Sequence, residues 1–373
     1  MSELPIWGDG AWDALPELQG DADTDICVVG LGGSGLACIL ELLAMGRRVV
    51  GLDAAAVGGG AAGRNGGFLL AGLPSFYHRA ADRFGRDRVR SVYRRTMSEL
   101  DRMTAETPQA IRRSGSLRIA GDSAELLDCD MQLAMMRADG LPAEYYEGPE
   151  GRGILVPTDG AFNPLQRCRA LAGLALSGGA RLFEQSAALA IRGDLVRTQR
   201  GSVRCARVVV AVDGCLERVL PELTPRVRTA RLQMLGTAPV FELDLPHPVY
   251  RRWGLDYWQQ LPDRRIALGG LRDRAGDCEW TDVAVSTDLV QQGLERVLRD
   301  QLGVTVPITH RWAGVVGYSV NGLPVIDEIR PRVWAIGGYS GTGNILGSLC
   351  GRGVAQLAVT GRSELLTELW SRA

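Results

Sequence analysis

The chain has 373 residues, with 42 Lys plus Arg against 43 Asp plus Glu and a formal net charge of −1. That length suggests about two domains around a large core, and a near-neutral chain gives no reason to expect nucleic acid or an anionic membrane as partner. All 42 cations are arginines, which excludes a P-loop, a pyridoxal-phosphate Schiff base and a lysine nucleophile.

No apolar run approaches the ~18 residues of a membrane span. The start, Met-Ser-Glu-Leu-Pro, lacks the basic-then-apolar order of a signal peptide, so a cytoplasmic location is expected. The eight cysteines are scattered with no C-x-x-C, so they read as buried free thiols. His78, His247 and His310 stand alone, without ligand spacing, and no metal is expected.

Residues 1–24 carry Trp7 and Trp12 among acids and prolines, and read as an arm packed across the surface. Ile26–Val29 is an apolar run of strand length. Gly30, Gly32 and Gly35 then give G-x-G-x-x-G, and Leu36 opens an apolar helix ending near Gly46. Gly30 allows the tight turn, Gly32 makes room for a pyrophosphate, and Gly35 lets helix and strand pack closely. Free N–H groups at the helix start, around Gly33 and Ser34, face the phosphates. A second strand, Arg48–Leu52, ends at Asp53 and Ala54, about 20 residues on, where a carboxylate holds ribose hydroxyls.

Val57–Phe68 is too glycine-rich for helix or strand. Arg64 and Asn65 among Gly63, Gly66 and Gly67 read as a binding loop. From Phe76 to about Arg113 the pattern is helical and arginine-rich, with a break near Thr107-Pro108. Leu117–Ala120 and Ala143–Tyr146 read as strands, and Ala124–Ala138 as a helix. Asn163 caps a further helix with Pro164 at its first position.

Short β-rich runs follow from residue 180, closing with Arg207-Val-Val-Val-Ala211-Val-Asp-Gly214. An apolar strand ending this way hands its chain to a ligand loop. Alternating runs at Thr229–Leu235, Leu255–Gln260 and Arg265–Gly269 suggest an antiparallel sheet. Within it Tyr257 and Trp258 must point to opposite faces, one to the core and one to a cavity. After a helix around Leu289–Leu302, Val333–Ile336 is a strand. It is followed by the glycine-rich loop 337–344 (Gly338, Tyr339, Ser340, Gly341, Thr342, Gly343, Asn344) and a helix from Ile345.

The expected fold is α/β: a Rossmann-like doubly wound dinucleotide-binding domain with a second α+β substrate domain on an antiparallel sheet. The arm is 1–24; residues 25–80, 150–215 and 325–373 form the discontinuous first domain, and 81–149 and 216–324 the second.

Four stretches, Gly30–Gly35, Gly60–Phe68, Arg207–Gly214 and Arg311–Tyr318 through Gly343, resemble the D-amino-acid-oxidase-like flavoproteins, the group of glycine oxidase, monomeric sarcosine oxidase and γ-glutamylputrescine oxidase. The resemblance implies FAD. Its pyrophosphate would lie on the first glycines, its adenosine ribose on Asp53, its adenine on the Ala188 backbone and its ribityl chain and flavin edge along Gly63–Gly67. Tyr339–Ile345 would stabilise negative charge at the N1–C2 end of the reduced ring.

Three departures bear on substrate. Val316 stands where glycine-oxidase-like members carry a carboxylate-clamping arginine. Ile345 and Val316 replace, respectively, the carboxylate-binding lysine and flavin-linking cysteine of sarcosine-oxidase-like members. Thr342 replaces a frequent histidine. An α-carboxylate wants a bidentate arginine, so the resemblance implies noncovalent FAD and an amine substrate without one. Its α-hydrogen would leave as hydride to flavin N5, with the imine then hydrolysing. Tyr257, Trp258, Tyr318 and Tyr339 are the candidate pocket wall. Arg64, Arg231 or Arg272 is the candidate substitute clamp if the substrate is an amino acid. A protein that binds FAD without turnover is the remaining alternative.

Overall fold

The computed structural model describes residues 2–8 and 12–369; Met1 and residues 9–11 of the N-terminal arm lie outside them. Elements of the nucleotide-binding half are labelled in chain order: β1 (Ile26–Val29), α1 (Gly33–Ala44), β2 (Val49–Leu52), α2 (Pro164–Ser177), β3 (Arg181–Phe183), β4 (Arg207–Val210), β5 (Val325–Arg330), β6 (Val333–Gly337) and α3 (Gly343–Thr360). Their strands form one sheet in the order β3-β2-β1-β4-β6-β5. All neighbours are parallel except the β5–β6 pair. Strand order therefore reverses beside β1, and in such sheets the ligand crevice opens at the carboxyl ends of the strands there.

β1 and β2 are short and wholly buried because α1, α2 and α3 cover one face of the sheet, while the small four-stranded sheet that includes Gly20–Asp23 and Gly201–Arg204 covers the other. Leu36, Ile39 and Leu42 of α1 are buried completely; each contributes roughly 1.5–3 kcal/mol. On its other side α1 meets α3 so closely that a Cβ on Gly351 would lie 2.1 Å from the Ser34 carbonyl.

The second half is built on an eight-stranded sheet. Its longest pair, Val227–Thr237 against Ile308–Ser319, is antiparallel. Asp256–Gln260 and Ile266–Gly270 continue it, and the helix Asp288–Asp300 packs on its back with Val290 and Leu294. Strands Glu144–Gly148 and Gly151–Val156 extend the far edge.

Several local expectations shift. The loop 57–68 contains one helical turn, Ala61–Arg64, and a two-residue strand, Phe68–Leu69. The arginine-rich helices Tyr77–Phe84 and Arg86–Glu106 divide at Gly85, whose φ of +91° breaks the run, while Thr107-Pro108 marks their end. The arm goes deeper than the surface: Ile6 and Trp7 are buried, and Gly20–Asp23 pairs in parallel with Gly201–Arg204.

Candidate active site

A cleft of about 1570 Å³, counting its open mouth, runs from the β1–α1 turn to the β6–α3 turn. At one end Gly30 holds φ +106°, and a Cβ there would come within 2.6 Å of the Ala211 carbonyl on the adjacent β4 extension. A Cβ on Gly35 would lie 1.9 Å from the Gly30 carbonyl. Two strand ends and a helix start are thus pressed together, with the first-turn N–H groups of α1 facing the cleft. Asp53 accepts from Leu31 N–H at 2.7 Å and from Ala55 N–H at 2.8 Å. Burial pushes its carboxyl above the usual range. Both oxygens keep a lone pair for a hydroxyl partner. Ala187 and Ala188 form the wall beyond it.

The other end is a set of loops locked to one another. The Arg64 guanidinium donates to Gly59 O and Ala313 O, both at 3.0 Å, which turns it away from the cleft. Asn65 donates to Ala62 O and accepts from Gly67 N–H and from Asn344. Asn344 donates to Phe68 O as well. Gln259 donates to Gly66 O and Gly67 O, tying this loop to the eight-stranded sheet.

Asp213, just past β4, fastens the third side. It accepts from Tyr339 N–H at 3.1 Å and Gly317 N–H at 3.2 Å, and burial pushes its carboxyl up to about 6. Between its ordinary value of 3.8 and about 6 the folded chain holds a proton that the unfolded chain has lost. Stability of the FAD-free protein therefore falls as pH rises through that window, by roughly 3 kcal/mol from this group. Asp213→Asn should remove that part of the slope when melting temperature is followed from about pH 4 to about pH 6. An unchanged slope would show that Asp213 does not titrate there.

Of the residues expected to hold the cofactor, Gly30, Gly32, Gly33, Ser34, Asp53, Ala54, Asn65, Ala188, Ala211, Gly341, Gly343 and Asn344 line the cleft. Gly35, Gly63, Arg64, Gly66, Gly67, Gly338, Ser340 and Thr342 do not; several shape it from behind. A Cβ on Gly63 would meet Gly58 O at 2.2 Å, and Ser340 N–H donates to Gly317 O. Sequence reasoning missed Arg167 and Cys215, which also line it, and gave Asp213 no role. The Asp-Gly pair after an apolar strand was the available signal for Asp213. Arg167 had none, because nothing in a helix sequence says which arginine turns inward.

Among the four aromatic candidates, Tyr339 lines the cleft. Tyr257 lies behind the loop: its ring carbons stand 3.0 Å from a Cβ placed on Gly66, and it stacks on Tyr250 with centroids 5.7 Å apart. Trp258 faces the opposite way, into the core with Leu268, Val290 and Leu294. It is removed from the pocket wall because adjacent strand residues alternate faces. Tyr318 meets Trp280 edge-on at 5.6 Å, and the Arg272 guanidinium sits 4.7 Å from the Tyr318 ring centre and 4.9 Å from that of Trp280. Arg231 is held by Glu279 through two hydrogen bonds, of 3.0 and 2.7 Å. Of the three candidate clamps, Arg64 and Arg231 are engaged; Arg272 has only ring partners and the Tyr318 hydroxyl among the described residues.

The parallel sheet with its crevice at the strand reversal, and a cradle that admits only glycine at Gly30 and Gly35, define a dinucleotide-binding protein, and a flavin dinucleotide fits these residues. The chain belongs to the FAD dependent oxidoreductase family, whose sequence profile matches residues 25–357. It is an FAD-dependent oxidoreductase. The γ-glutamylputrescine oxidoreductase of Escherichia coli K12 is 27% identical over 378 residues, covering 89% of this chain and 83% of that protein. The fold is shared with glycine oxidase from Geobacillus kaustophilus (TM-score 0.75, 20% identity, 94% of this chain and 100% of that one). It is shared also with L-proline dehydrogenase from P. horikoshii (TM-score 0.76, 20% identity, 94% and 96%).

Proposed function

We propose that the chain oxidises the C–N bond of a small amine bearing no carboxylate on the reacting carbon. The observation that carries this reading is Val316, an apolar side chain in the cleft wall, with Arg64 and Arg231 both committed elsewhere. When bound, FAD supplies the two-electron acceptor. On this reading Gly32–Ser34 and Asp53 hold its adenosine diphosphate half without a covalent link, and Asn65 and Asn344 fix the loop at its flavin end. Tyr339 forms part of the cleft wall, and Tyr257 backs the Gly66–Gly67 loop that would run along the flavin. Burial holds both phenols far above their ordinary pKa, so both stay neutral. The eight unpaired thiols suit a reducing, cytoplasmic setting.

Activity on a panel of primary and secondary amines, the matching amino acids and their esters tests this. It should include the polyamine conjugate named for the E. coli relative. Amines should exceed the matching amino acids in kcat/KM by about tenfold or more. The reverse preference would contradict it.

A second reading has its own observation, the acid-free Arg272. If the substrate carries a carboxylate, Arg272 between Trp280 and Tyr318 reads it. Esterifying the substrate and replacing Arg272→Met would each then raise KM about tenfold, since a charged hydrogen-bond pair is worth ~1.5–3 kcal/mol. On the amine reading, Arg272→Met leaves amine oxidation within about threefold.

A further inference from the structure

Arg167 lies in the first turns of α2, where Asn163 caps the helix and Pro164 opens it. Its side chain is 2% exposed, and what remains open borders the cleft. Its Nη1 stands 3.8 Å from the position of a Cβ on Gly33, at the start of α1. Its Nε and Nη2 have no hydrogen-bond partner. The nearest acid is Glu106, at 4.0 Å. Both oxygens of that carboxylate are taken by Arg352 at 2.7 Å, and Glu99 is paired with Arg352 as well. A guanidinium buried in this way is costly unless something anionic completes it. Arginine does not escape by losing its proton.

The charge around the cleft points the same way. Its lining contains two acids, Asp53 and Asp213, and Arg167 as its one basic side chain among the described residues. α1 carries no basic residue in its first turn, and Gly32 caps it without a side chain. The helix end alone offers about half a positive charge, whereas a dinucleotide brings a doubly charged diphosphate.

We propose that Arg167 is the counter-charge of the FAD diphosphate, closing over it from α2 while the N–H groups of α1 hold it from the other side. Nη1, the nitrogen that stands beside the start of α1, is then the one that reaches the phosphate oxygens, and the charge of the whole guanidinium is balanced by them. This rests on the chain being an FAD protein and goes beyond it, because the glycine motif says nothing of a cation on the facing helix.

Binding of FAD, ADP and adenosine to the deflavinated full chain, by calorimetry, tests the assignment without reference to turnover. The wild type should prefer ADP to adenosine, and rising salt should weaken that preference. Arg167→Met should weaken ADP and FAD by about 10- to 100-fold while adenosine changes little. Arg167→Lys keeps the charge without the guanidinium, and should fall between. Should Arg167→Met fail to fold, the lysine variant decides: ADP weakened more than about threefold with adenosine unchanged supports the proposal. Equal losses for ADP and adenosine would mark Arg167 as purely structural, and no loss for either would overturn the assignment outright. A wild type that takes up no FAD would instead sink the cofactor reading on which it rests.

Discussion

Tyr257→Ala should lower kcat/KM by about 100-fold with the protein still folded, whereas Trp258→Ala should act mainly on stability. The two residues are neighbours on one strand and face opposite sides. Tyr257 supports the Gly66–Gly67 loop and packs edge-on against Phe68 at 5.8 Å. Removing its ring lets a loop that would run along the flavin move by about an ångström, enough for a loss of that order. Tyr257→Phe keeps the ring that backs the loop and loses only the hydroxyl, so it should stay within about threefold of the wild type. Trp258 is 2% exposed among aliphatic side chains; truncating it should cost roughly 3–5 kcal/mol. Its indole N–H has no acceptor, so Trp258→Phe should be far milder than Trp258→Ala. Melting temperature and kcat/KM together separate these effects. Equal losses of activity in both alanine variants would refute the two-sided assignment.

Gly35→Ala should abolish FAD retention. The new methyl would need to occupy space 1.9 Å from the Gly30 carbonyl and 3.3 Å from the Ala211 side chain. The first of these neighbours is backbone, and neither can swing aside. α1 must then lift from β1, at a cost of about 3 kcal/mol or more, and its first-turn N–H groups leave their common focus. Gly173→Ala is the matched control. It lies inside α2 with nothing within 4 Å of the added carbon, and should stabilise by about 0.5–1 kcal/mol. The visible absorbance of the purified variants reports retained flavin. A yellow Gly35→Ala protein with normal stability would contradict the close packing described at β1–α1.

What the sequence revealed depended on how local the signal was. The β1–α1–β2 unit was legible because strand, glycines, helix and Asp53 sit within a few dozen residues and each has one mechanical reason to be there. Tyr257 and Trp258 were legible as a pair because alternation in a strand needs no knowledge of the rest of the fold. The long strand Ile308–Ser319 was recognised only as a stretch of family likeness, because its Gly314 and Gly317 interrupt the apolar alternation. Those glycines are required by close approaches from Arg64 and Asp213, which lie far away in sequence. The division of the arginine-rich helices at Gly85 was masked by a nearby proline that looked the stronger breaker. The commitment of Arg231 to Glu279 and of Arg64 to Ala313 O could not be read in advance. A guanidinium's partner is chosen by the tertiary fold, and local charge spacing does not name it.

The most direct test of the central claim is anaerobic titration of the purified yellow protein with a panel of amines and amino acids, followed by readmission of air. An amine without an α-carboxylate should bleach the flavin band, with an imine hydrolysis product, aldehyde or ketone, appearing in step with the bleaching. A flavin band that no amine or amino acid bleaches would contradict C–N oxidation and leave a protein that binds FAD without turning it over.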